Sequence, residues 1–128
     1  MGLDMYFHKD SVETDEIMYW RKANAIHGYF TRDWIGEDNC VPIPVSIDSI
    51  LELKNICNDI LTMKAEGDLD ALEDYCETEL PTTTGFFFGE YEYDDWYFDD
   101  IQNTYDFLNE LTKDEDWENH EYFYYAWY

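Results

Sequence analysis

Polar and apolar positions alternate at the start of the chain. Leu3, Met5 and Phe7 fall on one side and Asp4, Tyr6 and His8 on the other. That period of two predicts a half-buried strand over residues 2–8. After the polar stretch Lys9–Asp15, apolar positions recur at steps of three and four through Ile17, Trp20, Ala23, His27 and Phe30. This spacing predicts a helix over Glu16–Arg32, with Thr14 or Asp15 as N-cap and Gly28 near its end. Trp34–Pro44 gathers Gly36, Asp38, Asn39, Pro42 and Pro44 and reads as a loop. Ser46 then stands where it can cap a helix with apolar positions Ile47, Ile50, Leu51, Cys57, Ile60 and Leu61, ended by Gly67.

A shorter helix is expected over Asp68–Glu79 through Leu69, Leu72, Tyr75 and Cys76. It stops before Pro81, because proline disfavours helical backbone in the residue before it. In the stretch 81–89 two glycines bracket Phe86, Phe87 and Phe88, which suggests extended or turn-like backbone. From about Asp94 the helical period returns with Phe98, Ile101, Tyr105, Leu108 and Leu111 on one stripe. The end, Glu121–Tyr128, is rich in aromatics and alternates, which fits a strand paired with residues 2–8. The sum is one α+β domain over residues 1–128: a small sheet holding both terminal strands, covered by three or four helices.

Charge changes this picture more than any motif does. The 128 residues carry 31 Asp and Glu against 7 Lys and Arg, a formal charge of −24. Residues 1–64 hold eleven acids and six bases, and residues 65–128 hold twenty acids and the single base Lys113. Such an excess repels itself in the compact state, so its use is expected outside the fold. Phosphates and anionic bilayers are repelled too, which argues against direct nucleic-acid or membrane partners and for a basic protein. Disorder does not fit a chain that is 20% aromatic and 45% apolar. The N-terminus has no basic region followed by a long apolar run, so a cytoplasmic location is expected. Cys40, Cys57 and Cys76 are odd in number and form no CxxC pair, which suits reduced thiols.

Three passages carry a resemblance. They are Met1-Gly2-Leu3-Asp4-Met5-Tyr6, then Tyr19-Trp20-Arg21-Lys22-Ala23-Asn24-Ala25-Ile26-His27, then Leu80-Pro81 through Gly85-Phe86-Phe87-Phe88-Gly89 with Tyr93-Asp94-Asp95-Trp96-Tyr97. Together they resemble a family of small bacteriophage and prophage proteins generally left without an assigned function. The resemblance implies a phage setting, in a bacterial host cell, and transfers no catalytic residue.

The candidate partner-binding residues are Glu90, Glu92, Asp94, Asp95, Asp99, Asp100, Asp106, Glu110, Asp114, Glu115 and Asp116, with Trp96 and Tyr97 as aromatic anchors. Asp95, Asp99, Asp106 and Glu110 are separated by helical steps of four and seven and so fall close to one line. B-DNA carries one charge per roughly 1.7 Å of axis, and carboxylates on a helix face can imitate that pattern. The expected function is therefore an acidic DNA mimic that inhibits a restriction, CRISPR or other nucleic-acid-binding host defence protein. Two bland readings stand beside it: acids that only confer solubility or salt tolerance, and aromatics that only pack the core. An accessory protein-binding module without mimicry, using the glycine-bracketed aromatics, is the alternative function.

Catalysis has one candidate constellation, Asp4, His8, Arg21, Asn24 and His27, which meets only if the first strand packs beside the first helix. The chain has no P-loop, dinucleotide fingerprint or HExxH, and no nucleophile motif or cofactor is implied. Asp68, Asp70, Glu73, Asp74 and Glu77 fail the EF-hand pattern, since Leu72 and Glu73 stand where a ligand and glycine belong. His120 with Glu118 and Glu121 lacks zinc spacing. Arg21, Lys22 and Arg32 form the one basic concentration, suited to ion pairs with the acidic half or to a homodimer.

Overall fold

The two chain ends meet in the middle of one sheet. In the computed structural model, which describes residues 3–10, 16–32, 34–37, 40–82, 93, 95–114 and 118–128, the elements run β1 (Asp4–Lys9), β2 (Glu16–Arg21), α1 (Asn24–Thr31), β3 (Ile43–Pro44), α2 (Ile47–Glu66), α3 (Leu69–Glu79), α4 (Asp95–Asp114) and β4 (Tyr122–Trp127). The strands are antiparallel in the order β2-β1-β4-β3, so β1 and β4 are the central pair. The fold is α+β, as the hydrophobic pattern predicts.

Alternation decides which residues the sheet buries. Met5 pairs with Trp20 on one side and Ala126 on the other, and Phe7 pairs with Met18 and Tyr124. These positions form the inner face, where Met5, Phe7, Trp20, Tyr124 and Ala126 are buried. Phe7 lies 5.6 Å from Phe107 of α4, edge to face, and 6.1 Å from Phe30 of α1. Phe30 stacks on Tyr124 at 4.5 Å. Such aromatic pairs contribute about 0.5–1.5 kcal/mol each beyond the area they bury.

The helix expected over Glu16–Arg32 is corrected. Residues Glu16–Arg21 are the edge strand β2, and the helix is limited to Asn24–Thr31. The positions Ile17 and Trp20 fit a helical step, but Met18 and Trp20 fit a strand equally well, and six residues are too few to arbitrate. Pairing with β1 supplied the deciding contacts, and Lys22 at φ 56 turns the chain between the two elements. Thr14 and Asp15, offered as caps, lie outside the described residues. Gly28 falls inside α1.

The other helices begin and end where local chemistry places them. Ser46 accepts from the Ser49 amide at 3.2 Å and starts α2, and Gly67 at φ 86 ends it with its N–H on Met63. That left-handed C-terminal residue is where glycine is favoured. The Asp68 carboxylate caps α3 through the Ala71 amide at 3.2 Å. In α2, Ile50, Leu53, Ile56, Cys57 and Ile60 are buried while Leu51, expected in the stripe, is turned outward. The loop expected over Trp34–Pro44 is interrupted by β3, which extends the sheet by two residues. Cys40 and Val45 continue the same edge by donating to Ala126 and Tyr122.

Candidate functional site

An amphipathic helix that buries one stripe must expose the opposite one, and α4 does so with carboxylates. Ile101, Thr104, Leu108 and Leu111 are buried, while Asp95, Asp99, Asp106 and Glu110 are exposed. Four acids at those steps span about 22 Å of helix axis at 1.5 Å per residue. Gln102 donates to Asp106 at 3.0 Å and holds that carboxylate along the helix. Asp100 is only partly exposed, between the acidic line and the buried stripe. Asp114 is the last residue of α4. Glu90, Glu92, Asp94, Glu115 and Asp116 lie outside the described residues, as does the glycine-bracketed segment Gly85–Gly89.

The two aromatic anchors separate. Trp96 is 72% exposed in the first turn of α4 and remains on the surface. Tyr97 is corrected: it is buried, and its hydroxyl donates to the Leu80 carbonyl at 2.7 Å. Burial pushes its phenol far above the usual range, with the neighbouring Cys76 adding to the effect. Its work is to tie the start of α4 to the end of α3, so it has no surface to offer a partner.

Sequence reasoning weighed the α3 acids as a calcium site and left them out of the partner-binding surface. Asp70, Glu73, Asp74, Glu77 and Glu79 are all exposed on that helix, and it carries no base. A count of uncompensated acids per helix would have included them. Tyr75 donates to Asp59 of α2 at 2.9 Å, which holds α3 against α2. Bases approach α4 at both ends, and at its start the Lys64 ammonium of α2 stands 4.8 Å over the Phe98 ring. Lys113 sits in its last turn, and Lys54 donates to Thr112 at 3.2 Å.

The catalytic constellation is divided between the two sides of the sheet. Asp4 belongs to the outer face of β1, where it accepts from the Tyr19 hydroxyl at 2.5 Å, and Arg21 is exposed at the end of β2. His8 shares that face. Asn24 and His27 are buried on the inner side, and His27 Nδ1 lies 2.6 Å from the Tyr124 hydroxyl. No single cleft collects these five side chains among the described residues.

Of the three bases noted together, Arg32 pairs with Glu52 at 2.5 Å and lies 4.3 Å over the Tyr29 ring. That carboxylate belongs to the N-terminal half of the chain. Arg21 and Lys22 are exposed. A shallow cavity of about 150 Å³ is lined by Tyr29, Phe30, Arg32, Trp34, Ile43 and Ser49. That is small beside the roughly 300 Å³ at which ligand pockets begin. Among the described residues no three His, Cys, Asp or Glu side chains gather as a metal site. No helix among them is long and apolar enough to cross a membrane.

Comparison with protein-family models, curated proteins and solved structures finds no match.

Proposed function

We propose that this chain is a phage-encoded inhibitor that occupies the nucleic-acid channel of a host defence protein, of restriction or CRISPR type, by presenting carboxylates in place of phosphates. The observation that carries the reading is the line Asp95, Asp99, Asp106 and Glu110, exposed on a helix whose opposite side is locked into the core. Four charges over about 22 Å are sparser than one DNA strand, which has a phosphate each 3.4 Å or so. The exposed acids of α3, a helix without a base, and the formal charge of −24 add a long-range field. Steering of this kind accelerates encounter and makes it sensitive to salt. Trp96 supplies an exposed anchor inside the acidic helix. The phage setting comes from the three resembling passages, and a cytoplasmic location in the host follows from it.

The test replaces Asp95, Asp99, Asp106 and Glu110 together by Lys. Inhibition of DNA cleavage by a panel of restriction and CRISPR nucleases is then measured across a salt series. The reading expects inhibition by the unmodified protein that falls steeply with salt, yields to excess duplex DNA and disappears in the variant. Inhibition that survives charge reversal, or that DNA cannot displace, would refute mimicry and favour the module without it.

A further inference from the structure

At its Asp4 end the outer face of the sheet is aromatic where a solvated antiparallel face is ordinarily polar, while His8 further along the same face is buried. The register sets out its rows. Arg21, Asp4 and Trp127 lie across β2, β1 and β4 in one row, and Tyr19, Tyr6 and Tyr125 in the next. In the second row the ring centroids are 5.3 Å apart between Tyr6 and Tyr19 and 6.3 Å between Tyr6 and Tyr125. None of these four aromatics belongs to the core cluster or packs against it. Tyr19 is 44% and Trp127 60% exposed, and Tyr6 and Tyr125 are half-buried.

We propose that this face docks an arginine-bearing segment of a partner protein, whose guanidinium groups stack on Tyr6, Tyr19, Tyr125 and Trp127 while Asp4 takes up their charge. Three observations select that occupant. At −24, a second copy, a nucleic acid or an anionic surface is repelled over the whole molecule, and a cation is attracted. The Tyr19 hydroxyl donates to the Asp4 carboxylate at 2.5 Å, which leaves an electron-rich ring beside a carboxylate with unused lone pairs. The chain also contains the same recognition in finished form, since Arg32 lies 4.3 Å over the Tyr29 ring while bonded to Glu52. Among the described residues the cation–π contacts are Arg32 on Tyr29 and Lys64 on Phe98, neither of them on the outer face. Arginine is favoured over lysine because its planar, weakly hydrated group stacks on rings.

This surface is separate from the α4 line, so the two readings fail independently. The test titrates the full chain with a capped peptide of alternating Arg and Gly and with its Lys counterpart, at about 0.5 M salt, where exposed charges are largely screened. Ring resonances of the protein are followed by NMR. The Arg peptide is expected to bind more tightly than the Lys peptide and to move the signals of Tyr6, Tyr19, Tyr125 and Trp127. Tyr19→Leu and Trp127→Leu are each expected to weaken it about two- to fivefold, the range for exposed cation–π contacts. Reversal of the four α4 acids should leave the ring shifts in place. Equal binding of the two peptides, shifts confined to other residues, or a dimer of the unmodified protein that buries this face would overturn the proposal. The signals of the unmodified protein decide the matter even if a variant fails to fold.

Discussion

Trp20 donates its indole N–H to the Thr104 hydroxyl at 2.9 Å, inside the core and 84 positions apart in sequence. Both residues are almost wholly buried. The bond joins the edge strand β2 to the acidic helix α4, so the surface that carries the candidate site is fixed to the sheet by a specific polar contact.

Thr104→Val keeps the shape and removes the acceptor, leaving a buried donor unsatisfied. The expected loss is about 1–3 kcal/mol of stability in urea unfolding. Combining it with Trp20→Phe, which removes the donor, should cost less than the sum of the two single changes.

Asp10 closes the β1 end against β4. Its backbone N–H donates to the Glu121 carbonyl at 2.7 Å, and its carboxylate accepts from the Glu121 amide at 3.1 Å and from His120 at 2.9 Å. The bond from His120, more than the backbone one, holds the Asp10 carboxyl below the usual carboxylate range. A depressed carboxylate contributes stability above its unfolded value, and the contribution is lost as pH falls through the folded value. Asp10→Asn should therefore unfold at lower urea than the unmodified chain at neutral pH. The difference should persist down to about pH 4, the ordinary Asp range, and close below it.

Self-repulsion should be visible directly. Raising salt from about 10 mM to 0.5 M shortens the Debye length from roughly 30 Å to under 10 Å, and the urea midpoint should rise with it. Each of the four lysine replacements on α4 adds two charges, so the formal charge moves from −24 to −16. That variant should be more stable than the parent at low salt and respond less to added salt. A midpoint that ignores salt would show that the acids are already compensated.

The three thiols should react in two classes. Cys40 is exposed, whereas Cys57 and Cys76 are buried. Burial pushes the Cys57 thiol up to about 12 and raises that of Cys76 as well. Maleimide at pH 7 should give a single adduct on the native chain, at Cys40, and three in urea, as read by mass spectrometry.

The hydrophobic pattern determined most elements because their signals are local. Ser46 and Gly67 bound α2 through backbone chemistry within a few residues, and the alternation of Leu3, Met5 and Phe7 leaves β1 one face to bury. The steps between Asp95, Asp99, Asp106 and Glu110 place those acids on one side of α4 once a helix is granted. What the pattern could not decide depended on partners distant in sequence. Glu16–Arg21 became a strand because β1 supplies its hydrogen bonds, and Tyr97 went into the core, where its hydroxyl meets the Leu80 carbonyl of a distant element. The Asp4 to His27 grouping came apart because α1 packs on the inner face while Asp4 points from the outer one. Tyr19, Tyr6 and Tyr125 met in one row through register alone, which no short window of sequence encodes. Composition set the charge, and tertiary packing chose which surfaces carry it.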